Sequence, residues 1–297
     1  MRALTIGTRG SALALRQVEL VSEAIRSQDN EAQVTQVVVQ TEGDRRAEVS
    51  LEEIGGQGVF VKDIESRLLR GEIDIAVHSL KDMPAEQPVG LTIAAVLPRA
   101  DARDALVARD GLNLASLPAG ARIGSDSARR ALQIRMLRPD VEVVSIRGNV
   151  DTRLRKVSKG DYDAVVLAVA GLDRLGLLGR ATQVFTIQEL LPAVGQGVLA
   201  VQCREDDVEL VEYLAAIDDA PTHTASIAER AFLRALGAGC QLPVGAYARV
   251  DGKDIRLDGL LADASGKPHH GSAKGTVASA DHLGAGLAYS LRRAAGV

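Results

Sequence analysis

Short β-rich runs alternate with amphipathic helical segments in the first half of the chain, and this alternation limits the possible folds more than any other feature. Strands are predicted at residues 4–6, 34–40 and 73–77, and helices are predicted at 11–25 and 59–69. In the first helix the apolar side chains recur near helical spacing. Alternation of this kind favours βαβ units and a mainly parallel sheet.

The length of the chain and two boundary segments in its sequence predict more than one domain. A chain of 297 residues is too long for one ordinary hydrophobic core. The charged stretch 99–104 indicates a crossing into a second α/β unit, and the glycine-bearing segment 191–197 indicates a hinge from which a strand at 198–202 returns to the first unit. The second unit is expected to contain strands at 121–124, 141–146 and 164–169. The C-terminal part is expected to contain helices at 221–236 and 280–294 and a small sheet formed by 244–250, 255–261 and 275–277.

These elements predict an α/β protein with two crossed lobes, a central cleft and a small α+β C-terminal domain. Domain 1 would comprise residues 1–97 with 198–216, domain 2 residues 103–192, and domain 3 residues 220–297. Ligands are expected at the carboxyl ends of the parallel strands, where sheets of this kind bind them.

Composition and charge exclude several classes of protein. Apolar residues make up 46% and charged residues 25%, a balance typical of soluble globular proteins. No apolar run reaches the roughly 18–20 residues that span a bilayer, and the N-terminus has no secretory signal, so a cytoplasmic protein is expected. The formal net charge of −4 predicts neither nucleic-acid nor membrane binding. The chain has no CxxC or HExxH motif, which predicts no metal site, and His269-His270 beside Pro268 favours an exposed turn.

Four of the predicted strand ends carry hydroxyl and basic residues. These segments are Thr8-Arg9-Gly10-Ser11, His78-Ser79-Leu80-Lys81-Asp82-Met83-Pro84, Ser125-Asp126-Ser127-Ala128-Arg129-Arg130 and Arg147-Gly148-Asn149-Val150-Asp151-Thr152-Arg153. Helix N-termini bind anions through free backbone N–H groups, and the fork of an arginine grips carboxylate or phosphate through two parallel bonds. Hydroxyl caps alone mean little, because Ser and Thr cap helices in every kind of protein. Four such loops together favour a cleft for a polyanion.

Asp82 and Cys240 are the two residues whose surroundings point to chemistry. Asp82 is the lone acid of its loop, and it is either an N-cap or lysine-paired turn residue, or a carboxylate that stabilises a positive charge on a substrate. Cys240 lies among small residues before Pro243, which predicts a tight exposed loop with room around the sulfur, whereas Cys203 is interpreted as structural. The polar, glycine-bearing segment 41–58 is a candidate lid.

Several segments together resemble the porphobilinogen deaminase family, whose members are also called hydroxymethylbilane synthases. The similar segments are 8–14, 78–84, 147–154 and 167–176, with 191–197 and Gly239-Cys240-Gln241 in addition. The resemblance runs from Arg2 to about Ala248 in the family's order, and the remaining C-terminal residues match only in length and pattern.

The resemblance implies an enzyme that condenses four porphobilinogen molecules head to tail, releases ammonia each time, and hydrolyses off the linear tetrapyrrole hydroxymethylbilane. It implies a dipyrromethane cofactor joined by a thioether to Cys240, and a catalytic role for Asp82. The other residues implied to bind the cofactor are Lys81, Ser125, Ser127, Arg129, Arg130, Arg147 and Gly148. The residues implied to bind substrate are Arg9, Ser11, Arg153, Arg174 and Gln196. The family's pattern also implies lobes like those of periplasmic binding proteins, a monomer, no metal, and a product that passes to uroporphyrinogen-III synthase.

The chain departs from the family's pattern at a few positions. Glu53 and Gln57 stand where many relatives have lysines, and Ala238 replaces a customary glycine. Asp126 stands where a small hydroxyl residue is usual, and its charge would repel substrate carboxylates unless it pairs with a neighbouring arginine. Two other interpretations stay open at this point: a two-lobed anion-binding protein of the periplasmic type or its cytoplasmic sensor relative, and an inactive family member that retains the cofactor.

Overall fold

The computed structural model of the chain describes residues 3–41, 58, 61–237 and 243–296, which form two compact units. Unit 1 comprises Met1–Ala100 and Val198–Thr224, and unit 2 comprises Asp101–Gly197 and Ala225–Val297. The division into three domains stays a prediction, and unit 2 itself contains two separate sheets.

Unit 1 is built on a five-stranded sheet in the order β2-β1-β3-β10-β4. Its strands are β1 (Ala3–Thr8), β2 (Gln33–Val38), β3 (Ile75–Ser79), β4 (Leu91–Val96) and β10 (Leu199–Arg204), and its helices are α1 (Ala12–Gln28), α2 (Lys62–Leu69) and α6 (Val208–Leu214). As the alternating pattern predicts, β1 pairs in parallel with β2 and β3. Ile6, Val18 and Ile75 are buried in one core cluster of this unit, so the apolar face of α1 packs against the sheet.

The predicted return of the chain to the first sheet is confirmed by β10, and so is the expectation of a mainly parallel sheet, since the other four strands share one direction. β10 runs antiparallel to both of its neighbours, β3 and β4. The chain leaves unit 1 after β4 and re-enters through β10. The chain leaves the sheet at the carboxyl end of β4 and returns at the same end to begin β10. The two strands therefore run in opposite directions, which is why they pair antiparallel.

The first sheet of unit 2 has the order β7-β6-β8-β5-β9. Its strands are β5 (Asp104–Ala108), β6 (Arg122–Gly124), β7 (Glu142–Val144), β8 (Ala164–Ala168) and β9 (Gln183–Val184), and its helices are α3 (Ala128–Leu137), α4 (Val150–Lys159) and α5 (Val169–Arg174). β6 pairs in parallel with β7 and β8, whereas β5 is antiparallel to β8. The sequence pattern missed β5 because its first residue, Asp104, belongs to a charged stretch; in the folded unit that charge is paired with two buried arginines.

The second sheet of unit 2 is antiparallel and lies in the C-terminal part of the chain. It contains β11 (Val244–Asp251), β12 (Asp254–Ala262) and β13 (Pro268–Thr276), accompanied by α7 (Ala220–Leu236) and α8 (Ala280–Ala295). The expectation of an exposed turn at His269-His270 is wrong, because both residues are paired within β13. The strand was missed because its glycines give no apolar alternation in the sequence. In the structure, Gly271 and Gly275 allow side chains of α8 to pack closely on β13.

The predicted fold class is confirmed as two α/β lobes, each with its own five-stranded sheet, and a small C-terminal α+β domain. In each lobe the parallel strands direct their carboxyl ends to one edge of the sheet. That edge is where the loops singled out in the sequence are found.

Candidate functional site

One pocket of unit 1 brings together two of the four loops. Because β1 and β3 are parallel neighbours, with Ile6 opposite Ile75, the residues that follow them lie at the same edge of the sheet. We call this concavity the Asp82 pocket; its polar lining residues are Thr8, Arg9, Ser11, Gln17, His78, Ser79 and Asp82. The pocket is a half-open concavity with a volume of about 60 Å³.

One side of the Asp82 pocket is suited to an anion. The side-chain oxygen of Ser11 accepts a hydrogen bond from the backbone nitrogen of Ala14 at 3.3 Å, so Ser11 caps α1 as the sequence predicts. The first turn of this 17-residue helix contains no acidic residue. Its free N–H groups and the half-buried Arg9 therefore supply positive potential in the same place.

Asp82 ends a short 3₁₀ turn that its neighbours hold in place. Leu80 is buried and donates its backbone N–H to the carbonyl of Val198 at 3.0 Å, and Met83 is buried on the other side of Asp82. Asp82 itself is exposed and lines the pocket. Within the described part of the chain its carboxylate makes no hydrogen bond or ion pair, so neither an N-cap nor a pairing with Lys81 accounts for its position.

A series of buried hydrogen bonds links His78, which lines the pocket, through Gln202 to Glu65. The sequence pattern did not predict it. His78 lies 3.1 Å through Nε2 from Oε1 of Gln202, and Nε2 of Gln202 donates to Glu65 at 3.0 Å and to Gln87 at 2.8 Å. Burial lowers the pKa of His78 to about 4, while the hydrogen bond with Gln202 opposes that shift. His78 is therefore neutral at physiological pH. The only signal in the sequence was a histidine that follows the apolar residues of a predicted buried strand.

We expect His78 to make the protein less stable as the pH falls from about 6.5 to about 4. In this range the unfolded chain binds a proton that the folded protein excludes, so the free energy of unfolding decreases with falling pH, by up to about 3 kcal/mol. Urea denaturation at several pH values, compared between wild type and His78→Gln, measures this contribution. Equal pH slopes for the two proteins would contradict the expectation.

Two loops of unit 2 form a second polar edge. β6 and β7 are parallel neighbours, and Ser125 and Ser127 follow the first strand whereas Arg147 and Gly148 follow the second. The hydroxyl of Ser127 caps α3 by accepting from Arg130 N at 3.4 Å, and the side chain of Asn149 caps α4. Two helix N-termini therefore lie at the edge that carries these side chains.

The loop around Gly148 needs a glycine and fixes a neighbouring arginine. Gly148 has φ of +109°, and a Cβ there would lie 2.6 Å from Cγ2 of Thr152. Its carbonyl accepts a hydrogen bond from Nε of Arg153 at 2.8 Å. This bond ties the side chain of Arg153 to its own loop.

Asp126 pairs with a neighbouring arginine, which is the condition under which its charge would not repel substrate carboxylates. Its carboxylate lies 3.6 Å from Nε of Arg147 and accepts hydrogen bonds from the hydroxyl of Ser145 at 2.5 Å and from Ile146 N at 3.2 Å. The negative charge is therefore shared with protein donors.

Three of the predicted binding residues meet at a buried carboxylate that sequence reasoning missed. Asp104 is fully buried and accepts hydrogen bonds from Arg129 at 2.8 Å, from Arg130 at 2.6 Å and from the amide of Gln196 at 3.0 Å. Burial alone would raise the pKa of Asp104, but the two guanidinium groups hold it well below its usual range. The structure thus gives Arg129, Arg130 and Gln196 a partner within the protein, and their contact with a cofactor or substrate stays a prediction.

The remaining predicted residues divide between the described and the undescribed parts of the chain. Arg174 donates to the carbonyl of Gly197 at 2.8 Å, and burial lowers its pKa to about 10 although Asp173 opposes the shift. Cys203 is buried in β10, as its structural interpretation predicts. Cys240 and Ala238, together with Glu53, Gln57 and most of the segment 41–58, lie outside the described residues.

Clusters that could hold a metal and helices that could span a membrane are both absent from the described part of the chain. Among residues 3–41, 58, 61–237 and 243–296, no three His, Cys, Asp or Glu side chains come together as a metal site. No helix in the same part of the chain is long and apolar enough to cross a membrane.

Comparison with known proteins gives matches along almost the whole chain. Residues 4–212 match the family model described as porphobilinogen deaminase, dipyromethane cofactor binding domain, and residues 223–293 match its C-terminal domain. A protein of Roseiflexus sp. named porphobilinogen deaminase is 47% identical over 98% of this chain and 96% of its own length. One of the same name from Brevibacillus brevis is 46% identical over 95% of this chain and 91% of its own length. A solved periplasmic binding protein from Salmonella typhimurium covers 75% of this chain and 94% of its own length with 16% identity and a TM-score of 0.41, too low to add to the sheet topology.

Proposed function

Because the chain belongs to the porphobilinogen deaminase family, we propose that the Asp82 pocket is where its substrate reacts. The enzyme deaminates porphobilinogen and condenses four molecules into the linear tetrapyrrole hydroxymethylbilane, a step of tetrapyrrole biosynthesis. One observation carries the assignment of the site: the carboxylate of Asp82, which makes no hydrogen bond or ion pair within the described residues, lines the same pocket as Arg9 and the N-terminus of α1. A substrate that carries carboxylates needs the positive groups of this pocket, and the cation that it forms during the reaction needs the carboxylate.

The anion side of the pocket is suited to the acidic side chains of the substrate. Each porphobilinogen carries an acetate and a propionate group. Arg9 can hold one carboxylate through two parallel hydrogen bonds, and the backbone N–H groups of α1 beyond Ser11 offer further donors. Lys81, adjacent to Asp82 in the chain, adds a positive charge to this loop.

Asp82 is suited to the cation that forms when ammonia leaves. The protonated aminomethyl group departs as ammonia with the electron pair of its C–N bond, and positive charge spreads over the pyrrole ring. The carboxylate of Asp82 stabilises that charge. After the terminal pyrrole carbon of the bound chain has attacked the methylene carbon, the attacking carbon loses its proton, which Asp82 accepts and passes to water.

The residues of unit 2 fit the cofactor that the family model names. A dipyrromethane derived from porphobilinogen bears acidic side chains, and the edge formed after β6 and β7 offers hydroxyls, guanidinium groups and two capped helix N-termini. We assign the cofactor to Ser125, Ser127, Arg147 and Gly148 of this edge, and its covalent link to Cys240. When bound, the cofactor supplies the pyrrole carbon to which the first substrate is joined. Arg129 and Arg130 stabilise the structure of this edge through their ion pairs with Asp104.

Intact-mass spectrometry of purified protein tests this proposal directly. The wild type is expected to be heavier than its sequence by two pyrrole units, and Cys240→Ser is expected to lose the excess because the thioether cannot form. Cys203→Ala is the matched control, since Cys203 is buried in a strand, and it should retain the excess mass. A wild-type mass that equals the sequence, also after incubation with porphobilinogen, would favour an anion-binding protein over the enzyme.

The surroundings of the reaction are proposed on chemical grounds. Hydroxymethylbilane is an open chain, so an enzyme that closes the ring must consume it, and we assign that role to uroporphyrinogen-III synthase. The cytoplasmic location, the monomeric state and the lack of metal, nucleic-acid and membrane partners stay predictions.

A further inference from the structure

We propose that His78 binds the aminomethyl ammonium group of porphobilinogen through Nδ1, and that Gln202 and Glu65 are positioning residues that hold the ring in the required tautomer. This inference rests on the assignment of the Asp82 pocket as the reaction site. It concerns a side chain that lines the pocket and is nine-tenths or more buried.

The tautomer follows from the order of hydrogen bonds, beginning at Glu65. A carboxylate oxygen can only accept, so the group of Gln202 that lies 3.0 Å from Glu65 must be its NH₂ group. The second proton of that NH₂ group goes to Oε1 of Gln87 at 2.8 Å. The other end of the amide, Oε1, therefore faces His78. An oxygen acceptor at 3.1 Å requires that Nε2 of His78 carry the proton.

Nδ1 of His78 is thus left with a lone pair. A neutral imidazole carries one N–H, and Nε2 has it. Within the described part of the chain Nδ1 makes no hydrogen bond. Burial keeps the pKa of the ring near 4, so Nδ1 stays unprotonated in the range in which cells operate.

The chemistry of the pocket selects the substrate group that Nδ1 accepts from. Besides hydroxyl and amide groups that can also donate, the pocket is lined by two groups that only accept: the carboxylate of Asp82 and the hydroxyl oxygen of Thr8, whose own proton is donated to the carbonyl of Ala14. Nδ1, the carboxylate of Asp82 and the hydroxyl oxygen of Thr8 suit a group with several N–H donors, which the ammonium group is and a carboxylate is not. Nδ1 accepts a hydrogen bond without removing the proton, so the nitrogen can leave as ammonia with the electron pair of the broken C–N bond.

Two substitutions at His78 separate substrate binding from a structural role. In His78→Gln the new amide reaches the position of Nε2, so the bond to Gln202 is kept and the Nδ1 acceptor is lost. In His78→Asn the amide reaches the position of Nδ1 and the bond to Gln202 is lost. We expect His78→Gln to raise KM for porphobilinogen at least about tenfold, as loss of a hydrogen bond to a charged group implies, and His78→Asn to recover part of the loss. A purely structural histidine would give the reverse order.

Nitrogen NMR of the histidine rings provides a second readout that does not depend on activity. In the wild-type holoenzyme the ring of His78 should carry its proton on Nε2, and in Gln202→Met, which cannot accept from the ring, the proton should distribute between both nitrogens. A proton on Nδ1 in the wild type, or an unchanged KM in a His78→Gln protein that retains its cofactor mass, would overturn the inference. Because that mass is measured in the same samples, failure of this inference is distinguishable from failure of the proposed function.

Discussion

Asp82→Asn is expected to lower turnover by about 10²-fold or more while the protein still folds. The substitution keeps the size of the side chain but removes the negative charge that faces the pocket. The asparagine can neither stabilise the cation left by ammonia nor accept the proton released after bond formation, and each of these contributions is typically worth about 10²-fold or more. Since Asp82 is exposed and its carboxylate makes no contact within the described residues, its loss should not affect folding.

The measurement combines a rate assay with intact mass. Protein is incubated with porphobilinogen, and the number of pyrrole units added to the chain is counted over time together with the ammonia released. Glu86→Gln is the matched control, because Glu86 is an exposed acid four positions further along the chain and does not line the pocket. Its turnover should equal that of the wild type. Full activity of Asp82→Asn would remove Asp82 from the mechanism.

Asp104→Asn is expected to reduce the free energy of unfolding by about 3–5 kcal/mol, a large part of the stability of an ordinary domain. Asp104 is fully buried and forms ion pairs with two buried guanidinium groups, so its loss leaves Arg129 and Arg130 without their shared counterion in a buried place. Gln196 also loses an acceptor. Because Arg130 extends from the first turns of α3, next to the cap formed by Ser127, the substitution should also weaken cofactor retention.

Urea denaturation at neutral pH measures the first effect, and Asp101→Asn is the matched control. Asp101 lies three positions before Asp104 and forms an ion pair with Arg103. Both of these side chains are substantially exposed, so the loss of Asp101 should lower the free energy of unfolding by less than about 1 kcal/mol. An Asp104→Asn protein that does not fold at all agrees with the prediction. A change in unfolding free energy equal to that of the control would show that the buried pair contributes little.

Local pattern was sufficient for much of the first lobe. Apolar spacing predicted α1 and β1, and Ser11 predicted the N-terminus of that helix, because caps and periodicity depend on residues only a few positions apart. The parallel pairing of β1 and β3 then followed from the alternation of elements, and with it the shared edge where Arg9 and Asp82 lie. The same loops carried the resemblance that identified the family.

The strand β5 and most of β13 could not be predicted in the same way. β5 begins with a buried acid and β13 is rich in glycine and histidine, so neither has the apolar alternation by which strands are recognised. Each is a strand because of what packs on it: two arginines neutralise Asp104, and side chains of α8 fill the space above Gly271.

The sequence by itself therefore determined the family and the reaction, and it predicted Asp82 and Cys240 as the residues on which the reaction is proposed to centre, since all of these depend on residue types in short segments. Only the tertiary structure decided how the polar groups are partnered. Asp104 meets Arg129 across 25 positions of the chain, and His78 meets Gln202 across 124. No local pattern encodes such a pair, because the free energy that maintains it comes from burial and from the pairing of groups which are neighbours only after the chain has folded.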